Sequence, residues 1–262
     1  MKVYELITQV ASKLGGGYNG SVTTGATTYL VDTKMKSVDG YFSGGTVIMR
    51  TGDNKGQCLY VKLHASSKLT FDALTSTIDA GDKFTAIPST FTLEDILAEI
   101  NLTLKEECKY VATDTTLTVT DDTLEYALPD GVSNVLRVEV ATSADSPYNY
   151  KRNFWWRERE GYIEFDEGRE PITADMKIKI WYKKTPEDVD VDSDLPAGIL
   201  DEFVTWSVVE RLWRSYISDT RKDNVISIDM KNEASAKAER ALSKKNSIPT
   251  IVMSRDPHYS RW

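Results

Sequence analysis

A chain of 262 residues, 40% hydrophobic and 27% charged, has room for a sizeable core and the composition of a soluble globular protein. Its net charge of -8 argues against a protein that coats nucleic acid, because that role requires neutralising phosphates. Cys58 and Cys108 fit no metal or redox spacing and predict buried free thiols in a reducing cytosol, and the absence of a long apolar window predicts a protein that stays off membranes.

In chain order, Val3, Leu6, Ile7, Val10 and Leu14 recur at helical spacing and predict a helix over 2–14, ended by Gly15-Gly16-Gly17. Residues 18–89 are rich in threonine, serine and glycine, with short alternating runs at 27–31, 45–49, 58–63 and 83–86. They predict a small all-β module, a barrel or sandwich with tight turns. Helical periodicity returns at 92–107, with Thr92 and Asp95 as a capping box in which Asp replaces the usual Glu or Gln.

A second β region is expected at 110–184, from runs at 116–120, 123–128, 135–140, 154–157, 162–165 and 176–182, the last alternating cleanly. An acidic linker, 185–194, then leads into the most apolar helix of the chain, 195–218. Asp194 is its expected N-cap and Pro196 its first turn. This helix has Leu200, Phe203, Val204, Val208 and Leu212 on one stripe and Trp206, Val209, Trp213 and Tyr216 beyond it. A helix covering one sheet needs a single apolar face, so the surplus predicts further neighbours, other subunits among them. An alanine-rich helix at 229–244 and an extended arm at 246–262, containing Pro249 and Pro257, complete the chain.

No catalytic constellation emerges. His64 and His258 are the only histidines and have no Cys, Asp or Glu at ligand spacing, which removes most nucleophile–base arrangements and predicts neither metal nor cofactor. The glycine-rich 15–20 stretch follows a helix and lacks the Lys-Ser/Thr ending of a phosphate loop. Carboxylate pairs such as Glu158/Glu160 and Asp166/Glu167 are not distinguished from the many other acids. The aromatic cluster Tyr148, Tyr150, Phe154, Trp155 and Trp156, interleaved with Lys151, Arg152, Arg157 and Arg159, suits core packing first, a subunit interface second and a single-strand stacking platform last.

Several ordered runs resemble the head-to-tail adaptor (connector, or neck) proteins of tailed bacteriophages. They are Phe91 to Asn101 with its late Asn, Glu125 to Val132 with a Tyr-x-Leu-Pro strand end, and Ile178 to Pro186 followed by acidic residues, Leu195-Pro196 and the long helix. Asp256 to Trp262 is similar to the basic-aromatic end of some members, and the early stretches 20–32 and 39–46 resemble an inserted β module of larger members.

The resemblance implies an enzymatically inactive structural virion protein. It would form a homo-oligomeric, typically dodecameric ring beneath the portal, joining capsid to tail or collar proteins, with double-stranded DNA passing through without specific binding during genome ejection. Assembly would occur in the host cytoplasm. The expected fold is α+β, with residues 1–17 and 90–262 as adaptor core, 18–89 as an inserted β module, and a C-terminal arm. Trp206, Trp213 and Tyr216 are the expected subunit-interface residues, and Arg255, Arg261 and Trp262 the expected portal-binding anchors. Another virion component, such as a tail-tube, collar or fibre-attachment protein, and a cell-wall or carbohydrate-active protein are the alternative readings.

Overall fold

The computed structural model describes residues 1–120, 123–132, 134–144, 147–166, 172, 174–220 and 225–247, without the side chains of 218–220, 225–227 and 244–247. Helices and antiparallel sheets are both present, in keeping with an α+β chain. Contacts divide the chain into two units. The first comprises Met1–Glu107 and Glu187–Ile248, and the second is built on Cys108–Pro186. The expected partition grouped the second β region with the helices and set the first apart. In the fold, 18–89 shares a unit with the helices.

The first unit begins with α1 (Val3–Lys13), whose Val3, Leu6, Ile7, Val10 and Ala11 are buried. Its first amide donors find backbone partners far along the chain: Val3 N–H donates to Ser193 C=O and Tyr4 N–H to Val191 C=O, both at 3.0 Å. These bonds satisfy groups that a helix start otherwise leaves open. Eight short strands follow: β1 (Tyr18–Ser21), β2 (Thr24–Gly25), β3 (Tyr29–Val31), β4 (Thr46–Met49), β5 (Cys58–Tyr60), β6 (Leu63–Ala65), β7 (Lys68–Thr70) and β8 (Lys83–Ile87). They make two four-stranded sheets, ordered β1-β8-β4-β5 and β2-β3-β7-β6. Leu30, Phe42, Val47, Met49, Leu69 and Phe84 belong to the core cluster these strands share.

Close approach of backbones explains one glycine here. A Cβ on Gly45 would lie 2.0 Å from the Ile87 carbonyl oxygen. The module is joined to α1 by Asn19, whose amide donates to Ser12 Oγ at 2.7 Å.

Helix α2 (Leu93–Glu107) starts on the expected cap. Asp95 N–H donates to Thr92 Oγ1 at 3.1 Å, and Thr92 N–H donates to Asp95 Oδ2 at 3.0 Å. Helices α3 (Asp201–Thr220) and α4 (Val225–Ser247) finish the unit. The start of α3 differs from expectation by six residues. Leu195 N–H is engaged by Met1 C=O, Lys2 and Asp194 form an isolated bridge, and Gly198 takes a φ of +87°. That chain path holds 195–200 out of the helix, so the observed start lies at Asp201, whose carboxylate accepts from Glu202 N–H at 2.9 Å. Residues 246 and 247, expected in the arm, belong to α4, and the rest of the arm, 248–262, lies outside the described residues.

The second unit contains β9 (Tyr110–Asp114), β10 (Glu125–Ala127), β11 (Val135–Ala141), β12 (Tyr150–Asn153), β13 (Trp156–Arg159), β14 (Tyr162–Phe165) and β15 (Ile178–Lys184). One sheet runs β12-β11-β15-β9 and the other β10-β14-β13. Val138, Ile163, Ile178 and Ile180, all fully buried, lie in the core cluster to which both sheets contribute. Arg159 pairs with Tyr162 across Glu160 and Gly161, both at positive φ, which is the two-residue hairpin those residues signal. The expected strand at 116–120 is reduced to a bridge between Thr118 and Lys177, and 110–114 supplies the edge strand in its place.

Candidate assembly surface

Helix α3 is the hub of the first unit, packing against α1, α2 and α4 of the same chain. Val204, Thr205, Ser207, Val208, Val209 and Leu212 are buried. The surplus apolar surface seen in sequence is therefore taken up largely within the chain, by three neighbouring helices.

The three expected interface residues fall into two places along α3. Trp206 is half-buried between lysines of two helices, with Lys237 Nζ 4.2 Å and Lys13 Nζ 5.5 Å from the ring centre. Trp213 and Tyr216 lie further along and close a ring triad with Phe91, which precedes α2. The centroid distances are 5.3 Å for Phe91–Trp213, 5.7 Å for Phe91–Tyr216 and 5.6 Å for Trp213–Tyr216. Edge-to-face rings at such separations add about 0.5–1.5 kcal/mol beyond their area burial. Phe91 stands one residue before the capping box, a position that periodicity does not mark.

Charged groups tie α3 to the other end of α2. Arg211 bridges Glu106 and Glu107 at the C-terminal end of α2, donating to Glu106 Oε2 at 2.6 Å and from Nε to Glu107 Oε1 at 3.1 Å. Two acids at a helix C-terminus oppose the dipole, and the guanidinium compensates them. Burial raises the Glu99 carboxyl above its usual range, with Arg211 pulling in the opposite direction.

The acidic linker has a definite place. Asn101 holds it at two points, donating to Val189 C=O at 3.1 Å and accepting from Val189 N–H at 2.7 Å. This is a physical role for the late helical Asn on which the family resemblance partly rests. Asp188, Asp190, Asp192 and Asp194 are exposed along the segment, while Val189 is buried. Lys105 reaches Asp188 and Lys2 reaches Asp194, each at 2.9 Å. In the second unit, Tyr126 of the Tyr-x-Leu-Pro run is also a fastener, donating to Thr123 C=O at 2.7 Å and accepting from Thr120 N–H at 3.2 Å.

An open hollow of about 400 Å³ lies beside Cys58, lined by Lys55 to Leu59, Val191 and Asp192. Burial, with Asp192 and Glu94 nearby, pushes the Cys58 thiol up to about 12, so it carries no thiolate near neutral pH. Cys58 is half-buried where full burial was expected; Cys108 is buried. Among the described residues, no group of three or more His, Cys, Asp or Glu could hold a metal ion, and no helix is long and apolar enough to cross a membrane. Arg255, Arg261 and Trp262, the expected arm anchors, lie outside the described residues, as does His258.

A sequence model of the SU10 adaptor protein family matches residues 72–258, well over half of the chain, and the chain belongs to that family of phage adaptor proteins. The matched span takes in β8, α2, strands β9–β15, α3 and α4, and leaves α1 and β1–β7 outside it. No curated protein matches the chain.

Proposed function

We propose that this phage adaptor forms a ring beneath the portal, joins the capsid to the tail and extends the channel through which DNA leaves. The observation that carries the reading is the family match over 72–258, which spans the α2–α3–α4 helices and the second β unit together. The role is mechanical, with no cofactor and no reaction. The α3 hub supports it physically, because a helix braced on three sides can transmit load between subunits without changing shape.

In this reading, part of the half-buried surface of Trp206, Trp213 and Tyr216 is covered by a neighbouring copy. Residues 248–262 engage the portal through Arg255, Arg261 and Trp262, a basic-aromatic group of the kind enriched at interface centres. The net charge of -8 suits a channel that DNA traverses without sticking.

Two-dimensional class averages of the purified protein mixed with portal test the proposal directly. Closed rings capping the portal are expected, and dispersed monomers that ignore it would overturn the reading. Removing 248–262 is expected to abolish portal attachment while the circular dichroism of the helices persists; undiminished attachment would remove the arm from the mechanism.

A further inference from the structure

The outward face of the sheet β12-β11-β15-β9 is cationic and aromatic, although the chain as a whole is acidic. Alternation on β15 turns Ile178, Ile180 and Tyr182 inward, leaving Lys179, Trp181 and Lys183 on the other side. The register sets Glu139 between Arg152 and Lys179, Arg137 beside Trp181, and Ala141 beside Tyr150.

The cations lie over the rings. Lys179 Nζ is 4.6 Å from the Trp181 ring centre and 5.3 Å from that of Tyr150, Arg137 lies over Trp181 at 5.8 Å, and Arg152 over Phe154 at 4.6 Å. Glu139 is the acid within this group. It is 5% exposed and spent internally, accepting from Arg137 and from the Trp181 indole N–H at 2.9 Å. Among the described residues, Arg152, Lys179 and Lys183 form no ion pair. Phe154 is 65% exposed at the margin, and Tyr148 stands beside Tyr150.

Rings that hold cations in place keep positive charge fixed and partly desolvated, which favours an anionic partner over water. The chain supplies such a partner. The segment 187–194 displays Asp188, Asp190, Asp192 and Asp194 outward on a backbone pinned by Asn101 and by the first amides of α1. Among the described residues, the Asp190 and Asp192 carboxylates form no ion pair; Lys2 Nζ donates to the Asp192 backbone carbonyl at 3.0 Å. A fixed row of carboxylates loses little conformational entropy when it meets a fixed row of cations.

We propose that the cationic-aromatic face of one subunit receives the Asp188–Asp194 edge of the next copy. This is a head-to-tail contact that repeats around a closed ring. The inference rests on the ring reading above and names the contact that closes the ring.

A reciprocal charge reversal in the full-length protein tests it, with assembly followed by sedimentation in the presence of portal. One variant carries R152E and K179E; the other carries D190K and D192K. Each alone is expected to weaken assembly at least tenfold with the fold intact by circular dichroism. A 1:1 mixture is expected to recover rings, because alternating copies restore opposite charges at every contact. Combining all four substitutions in one chain is expected to recover them as well.

Normal rings from either variant alone, or no recovery from both the mixture and the combined chain, would overturn this contact while leaving the ring reading standing. Wild-type protein that never forms rings removes the ring reading, and this contact with it. If instead the wild type binds a short DNA duplex and R152E/K179E loses that binding but assembles normally, the face serves nucleic acid and the proposal fails.

Discussion

The two β regions build their cores by different means. The first, β1–β8, uses strands of two to five residues stitched by buried polar groups, whereas the second relies on two seven-residue strands, β11 and β15, that alternate inward and outward. In the first, Asp32 is 2% exposed and accepts from Tyr18 Oη at 2.9 Å, Ser21 N–H at 3.1 Å and Lys34 N–H at 2.9 Å. Burial and this carboxylate together push the Tyr18 phenol up to about 12. His64 is 1% exposed and packs edge-on against Phe42 at 5.3 Å.

Short strands contribute few ladder bonds and little alternation, so their pairing needs outside fixtures. Long alternating strands specify their register through the pleat. The first region should therefore fail at single polar residues, and the second should tolerate them better.

The largest expected effect is Asp32→Ala, which strands three donors and should cost about 3 kcal/mol. In hydrogen exchange, amides of β1–β8 are expected to lose protection while those of β11 and β15 keep theirs. Equal loss in both regions would erase the contrast. Next comes Gly45→Ala, whose new methyl would lie 2.0 Å from the Ile87 carbonyl and force β4 from β8, at a cost of about 2 kcal/mol in chemical denaturation.

Acid should act on the first region too. Burial holds the His64 imidazole below its ordinary pKa, an effect that nearby Asp39 only partly offsets. The unfolded chain then binds the extra proton more readily, so the His64 contribution is complete above pH 6.5 and declines as pH falls below it. His64→Leu is expected to flatten that part of the stability profile; an unchanged slope would assign it to other groups.

The smallest effect is expected at the β6–β7 turn, where Ser66 and Ser67 both adopt positive φ, at 48° and 65°. Ser66→Gly relieves one of them and should stabilise the module by about 0.5 kcal/mol, read from the denaturation midpoint.

That turn also shows where reading the sequence stops. Glu160-Gly161 announces its hairpin because glycine favours the required φ, but Ser66-Ser67 announces nothing. Its geometry is imposed by Asp39 Oδ1 accepting from Ser66 N–H at 2.7 Å and by Met35 C=O accepting from Ser67 Oγ at 2.5 Å. Similarly, the run 154–157 resembles a strand by composition, yet the chain breaks between β12 and β13 there and leaves Phe154 exposed.

The candidate surface was half legible. Trp206, Trp213 and Tyr216 stand out as apolar surplus on a helix. Their partners Phe91, Lys13 and Lys237 come from three other segments that no local pattern links to them.

By itself, the sequence determined the four helical stretches, the Thr92–Asp95 cap, the alternation of β15 and the resemblance to phage adaptors, since each depends on residues within a few positions of one another. Only the tertiary structure decided that α3 begins at Asp201, that 18–89 shares a unit with the helices, and that the acidic linker is a pinned edge. Those outcomes depend on bonds such as Leu195 to Met1 and Asn101 to Val189, whose partners are 88 or more residues apart and whose strength depends on the folded core that aligns them.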